Sequence, residues 1–170
     1  MIELIYMKNI VIIGAGFGGL KTALTLGRNL KRYQLQNKYN LLLVDKNAYQ
    51  TYTPILYEAA TTSKEIANYL ELSEIMAYPI KDLIANLPIK FIHDTVTELD
   101  LINGDIHCCN ERLKFDYLVL AMGSEPNFYD IKGLEKNALT FKTFLDAIKL
   151  RDKVLEVYFE KSEKKEDLKI

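Results

Sequence analysis

An unbroken β-branched run, Ile10-Val11-Ile12-Ile13, opens the patterned part of the chain. With no polar alternation, it predicts a parallel strand buried on both faces. The period then changes. From Gly18 to about Lys31, Leu20, Ala23, Leu24, Leu26 and Leu30 form an apolar side and Lys21, Arg28 and Lys31 a polar one, which predicts an amphipathic helix. The polar stretch Arg32–Lys38 reads as a solvated connection, and Leu41-Leu42-Leu43-Val44 predicts a second strand ending in Asp45. Beyond Pro54 comes a short apolar helix. Residues 63–72, polar with Ile66, Ala67 and Leu70 interspersed, fit a mobile excursion or a short helix. Pro79–Leu87 reads as a helix with proline in its first position, apolar residues at 80, 83, 84 and 87, and Pro88 as its stop. Ile89–His93 predicts a third strand.

Short strand-like segments follow. Thr95–Asp100, Asp105–Cys108 and Leu113–Phe115 predict a β-meander, with Asn103–Gly104 as a two-residue hairpin turn because both residues tolerate positive φ. Tyr117–Ser124 is a buried strand whose small-residue end, Ala121-Met122-Gly123-Ser124, allows close backbone approach. A long helix is predicted over Lys142–Lys161, with Leu145, Ile148, Leu155 and Phe159 on one face. Glu160–Asp167 is almost wholly charged and reads as a solvated helix end or linker. Leu168-Lys169-Ile170 has the character of an opening strand.

The first strand runs directly into Gly14-Ala15-Gly16-Phe17-Gly18-Gly19, a G-x-G-x-x-G turn at a helix start. That context makes the motif specific. Gly14 takes the tight turn, Gly16 leaves no Cβ to block a pyrophosphate, and Gly19 lets the helix approach the strand. Main-chain N–H groups and the positive end of the helix dipole then face the phosphates. Asp45, at the tip of the second strand, accepts hydrogen bonds from ribose hydroxyls and repels a 2′-phosphate, which selects FAD or NAD over NADP. It lies somewhat beyond the roughly 20 residues usual for that acid. Tyr49, Tyr52 and Thr53 fall on a loop at the carboxyl end of this strand, where α/β sheets bind ligands. The fold class is therefore α/β: a Rossmann-like parallel sheet with helices on both faces, plus a three-stranded meander.

Composition narrows the chemistry. The chain has 170 residues, a net charge of −1 and 26% charged residues, with acids and bases intermingled. No basic stripe interleaved with aromatics is present, so a nucleic-acid partner is not expected. Cys108 and Cys109 are adjacent, poorly placed to bond to each other, and read as small packing residues, one facing in and one out. No apolar run approaches the roughly 20 residues of a membrane span. Residues 1–7 read as an extension in which Met7 is the true start. His93 and His107 read as structural or exposed; neither has metal-ligand spacing around it, and no metal is expected. A Gly-x-Ser-x-Gly elbow, a phosphate-loop lysine and a C-x-x-C are all missing, so the chemistry must come from a bound cofactor.

Four segments carry a resemblance that spans Lys8 to Ile170. They are Val-Ile-Ile-Gly-Ala-Gly-Phe-Gly-Gly-Leu, Leu-Leu-Val-Asp-Lys-Asn with the following Tyr-Thr-Pro-Ile-Leu-Tyr-Glu-Ala-Ala, Tyr-Pro-Ile-Lys-Asp-Leu-Ile, and Asp-Tyr-Leu-Val-Leu-Ala-Met-Gly-Ser-Glu. Together they resemble the flavin-binding half of the two-dinucleotide-binding-domain flavoproteins, and more closely the type II NADH:quinone oxidoreductases. The resemblance implies that Gly14, Ala15, Gly16, Phe17, Gly18 and Gly19 hold the FAD pyrophosphate and that Asp45, followed by Lys46, holds the adenosine ribose. It implies a backbone contact from Val96 to adenine, a second FAD-side turn at Ala121, Met122 and Gly123, and Thr53 and Pro54 near the isoalloxazine.

The implied activity is hydride transfer from NADH to the flavin and electron transfer to a membrane quinone, at the cytoplasmic face of the membrane. The chain departs from that family by ending where the NADH domain should begin. The expectation is thus a partial FAD-binding domain over 8–145 and, over 146–170, a helix and charged linker toward a missing NADH-binding half that would also carry the membrane attachment. Such a chain is expected to be inactive alone. A sulfide:quinone oxidoreductase-like flavoprotein and a noncatalytic nucleotide-binding remnant are the alternatives.

Overall fold

In the computed structural model, the described residues are 7–63 and 66–164. β-Branched and leucine-rich runs become strands, and the segments of helical period become helices. The elements in chain order are β1 (Lys8–Ile13), α1 (Phe17–Arg32), β2 (Tyr39–Asp45), β3 (Tyr49–Thr51), a 3-10 turn (Thr53–Ile55), α2 (Leu56–Thr61), α3 (Tyr69–Met76), β4 (Ala77–Pro79) and α4 (Ile80–Leu83). Then follow β5 (Lys90–His93), β6 (Val96–Asp100), β7 (Asp105–Cys108), β8 (Arg112–Lys114), β9 (Tyr117–Leu120), α5 (Leu134–Asn137) and α6 (Phe144–Lys164). These divide into two compact units, one of residues up to 50 with 79–124, the other of 51–78 with the residues from 125 onward.

The first unit is built on a parallel sheet of order β5-β2-β1-β9. Its two central strands, β1 and β2, lack polar alternation because both faces are covered, whereas β9, expected to be buried, leaves Tyr117 and Leu120 half exposed. Ile12, Leu41 and Leu43 point to one face and pack with Leu20, Ala23 and Leu30 of α1 and with Ile80 and Ile84. Val11, Ile13 and Val44 point to the other, where Ile106 and Leu113 of the antiparallel sheet β6-β7-β8 cover them. The α/β expectation of a parallel sheet with helices and a meander holds. In this unit, however, α1 and α4 lie on one face and the meander on the other, instead of helices on both.

Asn103–Gly104 does not form the predicted two-residue turn. Asp100 pairs with Asp105, so the connection has four residues, and in it only Gly104 has a positive φ, of 70°. The reason is local: the Asp100 carboxylate accepts the Ile102 and Asn103 N–H groups, each at 3.0 Å, and this holds the loop in a wider turn. The helix predicted over Pro79–Leu87 is also shorter. Pro79 ends β4, α4 covers only Ile80–Leu83, and Asn86, with φ of 64°, terminates the winding before Pro88.

In the second unit, Leu56, Ala59, Leu72 and Met76 pack with Phe144 and Ala147 of α6. The 63–72 ambiguity resolves as a helix starting at Tyr69, because Asn68 and Glu71 form a reciprocal capping box. The buried face of α6 is only partly the predicted one, for Ile148 packs against this core as expected. Leu145 and Phe159 are exposed, while Phe144, Ala147 and Arg151 are buried. Thr143 and Asp146 cap each other at its start, Thr143 N–H donating to the Asp146 carboxylate at 2.9 Å and Asp146 N–H to the Thr143 hydroxyl at 3.1 Å. Part of the charged tail predicted as a linker lies outside the described residues.

Candidate functional site

The carboxyl ends of β1, β2 and β9 meet at the glycine turn. Gly14 has φ of 100°, a conformation that L side chains rarely adopt, and a Cβ built there would lie 2.3 Å from the Ala121 carbonyl oxygen. Its N–H donates to the Val44 carbonyl at 2.8 Å, and the Ala121 N–H donates to the Ile13 carbonyl at 2.8 Å. A Cβ on Gly19 would fall 1.8 Å from the Gly14 carbonyl oxygen. These two glycines are required by the protein's own packing. Gly16 and Gly18 are different, since a Cβ at either would meet nothing within 4 Å. Their missing side chains leave open space above the turn.

Gly16 is the N-cap of α1 and offers no side-chain acceptor, and no acidic residue stands in the first turn. The positive end of the helix dipole therefore faces that open space without a neutralising carboxylate of its own. Phe17 projects outward, half exposed. A cradle of this composition fits a diphosphate.

Asp45 lies at the edge of the same space. Its Oδ2 accepts the Ala15 N–H at 2.6 Å, and its Oδ1 accepts the Asn47 N–H at 2.7 Å and the Asn47 side-chain amide at 3.1 Å. Each carboxylate oxygen can accept more than one hydrogen bond, so acceptor capacity remains for sugar hydroxyls. Lys46 is exposed beside it. The structure thus brings together Gly14, Ala15, Gly16, Gly18, Gly19, Asp45 and Ala121, with Met122 and Gly123, both exposed, continuing from Ala121. Val96 begins β6 just after the end of β5. Thr53 and Pro54 form an exposed 3-10 turn in the second unit.

Two residues next to Asp45 shape this end of the sheet: His93, structural as expected, and Asp94, which escapes sequence inspection. His93 pairs in register with Asp45; its Nε2 donates to the Lys46 carbonyl at 3.0 Å and its ring stacks on Phe91 at 6.2 Å between centroids. The imidazole therefore fixes the turn that leaves β2. Asp94, only 7% exposed, donates its N–H to the Asp45 carbonyl at 3.1 Å. Its carboxylate accepts the Thr95 N–H at 2.7 Å, the Asn110 N–H at 2.9 Å and the Asn110 side-chain amide at 3.0 Å. The Asn110 main-chain bond is the foremost reason that this carboxyl stays below the usual carboxylate range; burial opposes it, and the Thr95, Asn110 side-chain and Cys109 bonds add to it. An Asx residue directly after a strand was the available signal. His107, by contrast, sits half-buried in the meander with the exposed Glu98 3.7 Å away on the neighbouring strand.

Among the described residues, no cluster of three metal-ligating side chains occurs and no helix is long and apolar enough to cross a membrane.

A sequence profile of the Pyridine nucleotide-disulphide oxidoreductase family matches residues 8–164. The chain is 29% identical to a type II NADH:quinone oxidoreductase of Haemophilus influenzae over 92% of its own length and 36% of that protein's. It is 33% identical to the demethylphylloquinone reductase NdbB of Synechocystis over 85% of its length and 35% of that protein's. It thus spans about a third of the curated relatives it matches. Among solved structures, NDH2 from Plasmodium falciparum in complex with NADH superposes with a TM-score of 0.72 at 23% identity, covering 92% of this chain and 30% of that one. The sulfide:quinone oxidoreductase of Aquifex aeolicus superposes with a TM-score of 0.73 at 25% identity, covering 89% and 32%. With residues 8–164 matched by the family profile, the chain belongs to the pyridine nucleotide-disulphide oxidoreductase family.

Proposed function

We propose that this chain is the FAD-binding, N-terminal portion of a flavoprotein that oxidises NADH and delivers the electrons to a quinone. The observation that carries this reading is the open space over Gly16 and Gly18, bounded by the uncapped start of α1 and by the Asp45 carboxylate. In it, the Gly14–Gly19 turn holds the pyrophosphate, its Gly14 and Ala15 N–H groups bonded to Val44 and Asp45 and the main-chain N–H groups at the start of α1 facing the phosphates, and Asp45 orients the adenosine ribose. Lys46 flanks that sugar. Val96 meets adenine through its main chain, and Ala121, Met122 and Gly123 line the second turn. The bound flavin would supply two-electron chemistry, accepting a hydride and passing electrons on.

The relatives supply the direction of flow, since several carry NADH:quinone oxidoreductase in their names. NADH and quinone as substrates, and peripheral attachment at the cytoplasmic face of a membrane, belong to this proposal for the whole protein. The sulfide:quinone fold neighbour marks the second reading. That likeness is one of fold at 25% identity, whereas relatives named NADH:quinone oxidoreductase match in sequence over 92% and 84% of this chain, and the NADH reading is preferred on that ground.

Titration of the purified chain with FAD, followed by flavin fluorescence, tests the proposal. Saturable binding that ADP competes away is expected, together with no NADH:quinone turnover by the 170 residues alone. Absence of any FAD or ADP binding would overturn the proposal and the nucleotide-binding remnant with it, whereas ADP binding without FAD binding would favour that remnant. Robust turnover would overturn the reading of these residues as only the FAD-binding portion of the flavoprotein.

A further inference from the structure

We propose that Asp94 is a positioning residue for the adenosine end of the nucleotide, an inference that rests on the FAD reading above. Three segments meet at this one buried residue: the end of β2 at its main-chain N–H, and the start of β6 and the turn between β7 and β8 at its carboxylate. Its N–H bonds the carbonyl of Asp45, the residue assigned to the ribose. Its carboxylate bonds the Thr95 N–H and both the main chain and side chain of Asn110. The Thr95 carbonyl is held in turn by the Cys109 N–H at 3.0 Å.

The main chain entering Val96 is therefore clamped on both of its polar sides. This matters because the pairing of β6 with β7 shifts register between Val96 and Glu98, so the sheet ladder alone does not fix the strand there. A purine edge read by main-chain groups needs those groups held within a fraction of an ångström. Asp94 supplies that restraint, and it registers the sugar-facing and purine-facing segments against each other through a single residue.

The test compares ADP with inorganic pyrophosphate by calorimetry on the full 170-residue chain. The wild type binds ADP more tightly than pyrophosphate, because the adenosine half adds contacts. Asp94→Asn turns an acceptor into a donor facing Asn110, and ADP affinity falls about tenfold, the factor for a net loss of one positioned hydrogen bond. Pyrophosphate affinity, which reports only the glycine turn, stays unchanged. The double variant Asp94→Asn with Asn110→Asp restores a donor–acceptor pair and recovers part of the ADP preference. If Asp94→Asn does not fold, Asn110→Ala, which removes only the side-chain bond, shows a smaller loss of the same selectivity.

Equal weakening of both probes, or no loss of ADP affinity, would overturn the positioning role and leave the FAD reading standing. Failure of the wild type to bind either probe would remove the FAD reading, and this proposal with it.

Discussion

The Oδ2 of Asp45 accepts the main-chain N–H of Ala15 at 2.6 Å, joining the end of the second strand to the middle of the glycine turn. Ala15 is only 2% exposed, so its N–H has little access to water. The carboxylate assigned to the ribose thereby also holds the pyrophosphate loop in place.

Asp45→Ala should act on both. Leaving the Ala15 N–H without its acceptor costs about 1–3 kcal/mol, visible as a lower urea midpoint. ADP binding should weaken by more than the stability change alone accounts for, since the sugar acceptors go as well. A variant with a lowered midpoint and wild-type ADP affinity would contradict the assignment of Asp45 to the ribose.

The glycines of the turn should separate into two classes. Gly19→Ala forces a Cβ to 1.8 Å from a backbone oxygen, and it should destabilise by about 3 kcal/mol or prevent folding. Gly16→Ala meets no protein atom, so the unliganded fold should change by less than about 1 kcal/mol. Its methyl group enters the space assigned to the diphosphate, and nucleotide binding should be lost. Thermal melts beside ADP titrations read the contrast, and an alanine at 16 that binds ADP normally would empty that space of its proposed occupant.

Acid should destabilise the fold partly through Asp94. Its folded pKa is lowered, chiefly by the Asn110 N–H, below the roughly 3.9 of an unfolded aspartate. As pH falls the unfolded chain takes up the proton first, so the contribution is complete above about pH 5 and is lost as pH drops through the folded value. Asp100, also lowered, foremost by the Asn103 N–H, acts with the same sign. Urea midpoints measured from pH 6 to pH 3 should therefore fall less steeply for Asp94→Asn than for the wild type, without becoming flat. Identical slopes would contradict the environment described for Asp94.

Thiol labelling should be ordered. Cys109 is exposed, whereas Cys108 is partly buried and its thiol is pushed up by burial first and by the charges of Asp94 and Glu111 next. A sub-stoichiometric alkylating agent at neutral pH should modify Cys109 first, because the thiolate is the nucleophile. Peptide mapping by mass spectrometry reads the order, and prior labelling of Cys108 would be inconsistent with this packing.

Local sequence determined a good deal. Ile10–Ile13 followed by G-x-G-x-x-G fixes a strand, a turn and a helix start with neighbouring residues alone, because φ preference and the absence of a Cβ act over a few bonds. The run ending in Asp45 and the meander strands were legible for the same reason, since strand periodicity is a short-range property. The buried face of α6 was not. Leu145 and Phe159 are as apolar as Phe144 and Ile148, and only packing against α2 and α3 selects 144, 147 and 151. The wide turn at Asn103–Gly104 depended on where the Asp100 carboxylate points, which the dipeptide does not encode. Asp94 and His93 gain their importance from Asn110 and Lys46, residues distant in sequence that the sheet brings within hydrogen-bond reach. A pattern along the chain shows which groups are available; only the folded sheet decides which donor meets which acceptor.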